Sequence, residues 1–165
     1  MAKRTPKTLD EIAEDNERTN EVGLFNYADA YLLCAKQLSA NQPTHLRFTA
    51  PIEFLLFHAA ELYLKSYLRQ KGVDVDTLIN KFRHYHVRMC KKATALGLKL
   101  PDETLRVFEF LDQTAAVIES RYIRTGPKQR LELPALHTIV DGLRAAVKNE
   151  HERGGVTLAA TPALP

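Results

Sequence analysis

The sequence predicts an all-α fold, an antiparallel bundle of four to five helices. Three observations lead there. Apolar residues recur at three- and four-residue steps along most of the chain, and strand-like alternation is scarce. The periodic stretches are separated by short links carrying proline or glycine, as antiparallel helical neighbours require. The chain has 165 residues, 45% of them hydrophobic and 26% charged, which suits one domain with a real core.

Residues 1–18 are polar and read as a loose arm, with a short helix possible from Thr8. The bundle proper is expected over 19–150. Its first helix runs from about Asn20 to Ser39, with Val22, Phe25, Ala28, Leu32 and Ala35 on one face. The link NQPTHL follows, broken by Pro43. The second helix spans Pro51 to Gly72, with proline in its first turn and glycine at its stop. It is apolar on most sides and belongs at the centre of the bundle. One polar stripe interrupts it: His58, Glu61, Lys65 and Arg69, at steps of 3, 4 and 4.

A third helix is expected from Asp76 to Leu96, closed by Gly97. A fourth begins at Pro101-Asp102 and reaches about Tyr122, with Leu105, Phe108, Leu111, Ala115, Ile118 and Tyr122 inward. Pro134 opens the last helix, which uses Leu136, Ile139, Val140, Leu143 and Val147 and ends near Asn149. Residues 151–165 are rich in glycine, proline and small side chains and read as a disordered tail.

No apolar run reaches the length of a membrane span, and the basic-then-acidic N-terminus has no apolar core of a secretory signal. A cytoplasmic protein is expected. Cys34 and Cys90 are too few for a disulfide framework and read as reduced thiols. The net charge of +3 permits contact with nucleic acid without arguing for it. There is no Gly-rich phosphate loop, Cys-x-x-Cys pair, His-Glu-x-x-His or Gly-x-Ser-x-Gly, so kinase, zinc-protease and hydrolase chemistry has no motif behind it. No cofactor is implied.

Three stretches carry a family likeness: FHAAELYLKSYLRQKG, HYHVRMCKKATALGL, and ESRYIRTG at the end of a helix. Together they span about residues 20–148, and the chain resembles the HEPN family of small helical bundles. That resemblance implies a homodimer and a link to RNA or nucleotides. It also implies a place in stress, defence or toxin–antitoxin systems, beside a nucleotidyltransferase or an antitoxin partner. Many members of that family are metal-independent ribonucleases with an arginine, four to six residues, then a histidine. Others lack the pair and act as binding or interaction modules. A helical interaction domain without nucleic acid is the third alternative.

The chemistry of such a pair is simple. A histidine near neutral pKa moves the proton of the attacking 2′-hydroxyl, and an arginine holds the phosphate oxygens as charge grows on them. Arg130 and His137 have the spacing. Yet 12 arginines and 6 histidines in this length give about 1.3 such pairs by chance. Arg144 and His151 form a second pair of equal spacing, so spacing alone carries no weight. Leu131 after Arg130, and Pro134 between the partners, further depart from the family pattern.

Anion binding is the stronger expectation for the loop SRYIRTGPKQRLELPALH. Arg121, Arg124, Lys128 and Arg130 crowd its Gly-Pro turn, and guanidinium groups with turn amides suit a phosphate. The His58–Glu61–Lys65 stripe is read either as a charged wall lining a cleft or as the solvent face of a buried helix. In RHYHVRMC, Arg83, Arg88, Lys91 and Lys92 make a basic face. His86 and Cys90 lie one turn apart, but zinc wants four ligands, or three and a water, and nothing completes the set. No metal is expected.

Overall fold

The computed structural model describes residues 8–42, 49–114 and 131–158. Among these residues every regular element is helical, so the fold is an all-α bundle. In chain order it comprises α1 (Leu9–Arg18), α2 (Glu21–Ala40), α3 (Ala50–Gln70) and the one-turn α4 (Val75–Thr77). A π-helical turn (Leu78–Phe82) continues from α4, and α5 (His86–Ala95), α6 (Asp102–Gln113) and α7 (Leu133–Arg153) follow. The Pro43 link, the continuation of the fourth helix past Thr114 with its Ala115, Ile118 and Tyr122, and the basic loop with Arg121, Arg124, Lys128 and Arg130 lie outside the described residues.

Local chemistry sets the helix ends. Thr8 and Glu11 exchange hydrogen bonds in a capping box at the start of α1. The Asn20 side chain accepts from the Gly23 N–H at 2.8 Å and opens α2. Gly72 and Gly97 take φ of 83° and 100°, and each lets the following N–H turn back onto the helix it closes, at Leu68 and Ala93.

The central helix is α3, as its apolar composition predicts. Ile52, Leu56, Tyr63, Leu64, Tyr67 and Leu68 are all buried. It packs against α2, α5 and α7. The expected inward faces of α2 (Phe25, Ala28, Leu32, Ala35) and α7 (Leu136, Ile139, Val140, Leu143, Val147) are buried against it. Each such large side chain removed from water contributes about 1.5–3 kcal/mol.

Polar ties then fix how the helices sit. Asp29 of α2 accepts both arms of the Arg144 guanidinium, Nε at 2.7 Å and Nη2 at 2.9 Å, and also the Tyr63 hydroxyl of α3. Further along, Lys36 pairs with Asp141 at 2.7 Å, so α2 and α7 run antiparallel. His151 Nε2 lies 2.7 Å from Ser66 Oγ. Ser66 gives its one hydroxyl proton to the Glu21 carbonyl, so the imidazole is the donor.

Two expectations are corrected and one is filled in. The short helix expected from Thr8 forms as α1, capped by Thr8, and it is fastened rather than loose: Arg69 donates to the main-chain carbonyls of Asn16 and Thr19, and the Asn16 side chain accepts from the Val75 N–H. The last helix runs past Asn149 to Arg153, because His151 and the aliphatic face before it are buried against Phe25 and Ser66. The third helix is not continuous. It breaks at residues 83–85, where Arg83 has φ 49°. His84 reaches Glu61 and His86 reaches the Phe57 carbonyl, both on α3. Two residues apart on one continuous helix would be about 200° apart around its axis and could not both face α3.

Removing the Asp29 carboxylate leaves the partly buried Arg144 and the fully buried Tyr63 without this acceptor. Asp29→Ala is expected to lower unfolding stability in urea by on the order of 3 kcal/mol. Arg144→Lys is expected to recover only part of what Arg144→Ala loses, since an ammonium cannot fork across both oxygens.

Candidate functional site

The polar stripe of α3 is neither a solvent face nor an open charged wall. Glu61 is 2% exposed. Its carboxylate takes the Lys65 ammonium at 2.6 Å and His84 Nδ1 at 2.8 Å. Burial alone would raise this carboxyl's pKa, but Lys65 and His84 outweigh it and hold the group below its ordinary value, so it is ionised at neutral pH. Lys65 is itself mostly covered, and Arg69 is turned to main-chain carbonyls. His58, one turn earlier, is wedged between Tyr31, edge-on at 4.4 Å, and the stacked ring of Phe54. The stripe is therefore a row of inward anchors, and Glu61 and Lys65 serve to place other groups.

What they place is the turn before α5. Arg83 closes the π-helical turn through its N–H to the Leu78 carbonyl, in a left-handed conformation that costs a non-glycine residue about 1–3 kcal/mol. The Glu61–His84 contact and the buried His86 anchor the chain directly after the strained residue. The side chains of Arg83 and Tyr85 are exposed, while His84 turns one edge to Glu61 and the other to solvent. The Arg88 guanidinium lies over the Tyr85 ring, 4.4 Å from its centroid. Lys91 and Lys92 are exposed on the next turn. The first turn of α5 carries no acidic residue and no side-chain cap, so its positive dipole end is not neutralised by the helix's own side chains.

This edge offers a guanidinium, an imidazole, an aromatic face and a helix start without a side-chain cap within a few residues. It can stack on a flat ring and hold a negative group. The basic face was legible in the sequence. The stacked Tyr85–Arg88 pair and the strained Arg83 were not, because both depend on the break in the helix.

The other candidates fall elsewhere. His137 sits in the first turns of α7, its Nε2 2.9 Å from Ser39 Oγ at the end of α2. The Ser39 hydroxyl donates to the Ala35 carbonyl, so the His137 ring donates to Ser39. Burial lowers its pKa, and with Nε2 engaged it offers less to a proton transfer than a free imidazole. Arg144 and His151, the second pair of equal spacing, hold the bundle together through Asp29 and Ser66. His86 Nε2 donates to the Phe57 carbonyl, and burial pushes the Cys90 thiol up to about 11, so neither is poised as a ligand or nucleophile. Among the described residues no three His, Cys, Asp or Glu side chains gather as a metal site, and no helix is long and apolar enough to cross a membrane.

No protein-family model, curated protein or solved structure matches the chain.

His86, His137 and His151 all have pKa values lowered by burial, and the buried Nδ1 atoms of His86 and His151 have no acceptor to receive an added proton. A folded pKa below the unfolded value of about 6.5 means that the unfolded chain binds the proton first. Stability is expected to be constant between about pH 6.5 and 8 and to fall as the solution is acidified below that. Glu61 adds a further loss below the ordinary carboxylate range. Urea midpoints measured between pH 8 and 5 check this. A midpoint that rises on acidification through that range would contradict it.

Proposed function

We propose that this chain is a HEPN-like helical domain that binds RNA or a nucleotide along the edge formed by Arg83, His84, Tyr85 and Arg88. One observation carries the proposal. A buried, ionised Glu61, neutralised by Lys65, anchors His84 and so presents a strained turn whose exposed side chains are an arginine-stacked tyrosine and basic groups. Strain kept in place by a buried ion cluster points to a functional turn rather than an idle link. Guanidinium and helix-terminal amides suit phosphate oxygens, and an exposed ring suits an unpaired base.

The loop with Arg121, Arg124, Lys128 and Arg130 supports the same reading by composition alone. A place beside a partner in a toxin–antitoxin or defence system is what the family resemblance implies. Cleavage by Arg130 and His137 has weaker support, since the His137 ring is engaged by Ser39.

The test is binding of a short fluorescent single-stranded RNA, and of a labelled nucleotide, followed by anisotropy at two salt concentrations. Tyr85→Ala and Arg88→Ala are each expected to weaken binding about tenfold, since stacking on one ring is worth about 1–3 kcal/mol. Affinity should fall as salt rises. The helical circular dichroism should not change. Absence of binding even at low salt would sink the proposal. RNA incubated in EDTA is expected to stay intact. Cleavage abolished by His137→Ala would put the ribonuclease reading in its place.

A further inference from the structure

The turn that carries the ligand edge is held in an uphill backbone shape. Arg83 has φ 49° and ψ −112°, and the Tyr85 N–H closes the turn onto the Phe82 carbonyl at 2.9 Å. That is the first central position of a type II′ turn, where glycine is the ordinary occupant. Left to itself, an arginine would leave this conformation. Two rings just after it keep it there. His84 Nδ1 lies 2.8 Å from the Glu61 carboxylate, and His86 Nε2 donates to the Phe57 carbonyl at 2.9 Å.

The two rings differ in how they meet a proton. His84 turns one edge to solvent and has a carboxylate for a partner. His86 is 1% exposed and packs against Phe108 and Phe57, with ring centroids 5.3 and 6.4 Å away. With Nε2 donating, a second proton must go to Nδ1, which is buried and has no hydrogen-bond partner among the described residues. The groups facing His86 are Glu61 with its Lys65 on α3, Asp112 on α6 with Arg88 close to it, and His84 on its own segment. Burial disfavours the added proton more than the Phe57 and His84 carbonyls and the two carboxylates favour it, so the ring's pKa is lowered. A buried charge without an acceptor is worse off than one turned out to water. His86 is also the first residue of α5, directly beside the strained turn. His137 and His151 instead lie within the 21-residue α7 and are engaged by α2 and α3, so freeing either requires the bundle itself to open.

We propose that the turn at residues 82–86 is a proton-operated latch on the ligand edge. A proton on His86 drives its ring out of its slot on α3, Arg83 relaxes to an ordinary backbone shape, and the Arg88-stacked Tyr85 platform comes apart while the bundle stays folded. The latch rests on the ligand reading above and gives that site a regulation: ligand is held at neutral pH and released in mild acid. The strain at Arg83 favours opening, so the turn yields before the helices do. The sign sets the latch apart from plain electrostatics. A basic surface that only gained charge on acidification would hold an anion more tightly.

The experiment uses the full chain. The sequence contains no tryptophan, so Tyr85→Trp places a single fluorescent reporter on the platform. Acrylamide quenching of that reporter is expected to rise severalfold on acidification from about pH 7.5 to 5.5, with the helical circular dichroism unchanged. In the reporter chain, His86→Gln keeps an N–H for the Phe57 carbonyl but takes up no proton, and it is expected to flatten the profile. Should that variant fail to fold, Arg83→Gly, which removes the strain, is expected to move the transition to lower pH. Binding of a short single-stranded RNA, followed by anisotropy at one salt concentration, is the second arm. The chain with Tyr85 intact should bind about tenfold more weakly at the acid end, as loss of one stacking platform implies, and with His86→Gln equally at both. An unmoved reporter, or RNA held more tightly in acid, overturns the latch and leaves the ligand reading standing. So does a transition that survives in a folded His86→Gln chain or stays in place with Arg83→Gly. A reporter that moves in a chain binding no RNA at either pH keeps the latch and sinks the ligand reading.

Discussion

Asp29 is where three helices of this bundle are held to one another. A carboxylate on the inward flank of α2 takes both nitrogens of an arginine from α7 and the hydroxyl of a buried tyrosine from α3. Apolar burial drives these helices together but leaves their rotation and sliding free, because Leu, Ala and Val surfaces are nearly interchangeable. The forked contact has one geometry. With α2 and α7 set by it, Lys36 meets Asp141 and His137 meets Ser39 further along the same seam. The Arg144 guanidinium also lies over Phe25, so the polar tie and the aromatic core are a single packing unit.

A second buried charge governs the other side of α3. Glu61 is compensated within its own helix by Lys65, which leaves its second oxygen to hold His84. His86 is then drawn in to the Phe57 carbonyl and packs beside Phe108. Holding two histidines so close in sequence against one helix is incompatible with a continuous α-helix. The backbone responds with a π-helical turn and a left-handed arginine. The bundle's interior therefore shapes the surface edge to which the ligand-binding reading is attached.

Much of this was legible in the sequence, and what was not has a common cause. The apolar stripes of α2, α3 and α7 and the glycine stops at Gly72 and Gly97 follow from helical periodicity and backbone sterics, which are local. The partners of Asp29, Glu61, Ser39 and Ser66 are far away in sequence, and nothing in the neighbourhood of a lone aspartate or serine names its partner. The polar stripe of α3 reads from its residue types as solvated or cleft-lining, because the sequence does not show what packs over it. The helical period across 75–96 hides a break because Leu78, Phe82, His86 and Met89 keep a spacing near four throughout. The end of α7 is hidden for the opposite reason: the glycines just beyond it suggest a tail, while His151 is already buried.

The way α1 is attached has a consequence of its own. Arg69 grips α1 and its exit by the carbonyl groups of Asn16 and Thr19, atoms that every residue possesses. The Asn16 side chain adds to this hold by accepting from the Val75 amide. The clasp is nearly blind to what α1 is made of. Exposed acidic positions outside the cap, such as Asp10 and Glu17, can thus be rewritten, by drift or by design, while the helix stays docked. A short appendage held by its backbone is a place where a bundle can change its outward character without disturbing its interior.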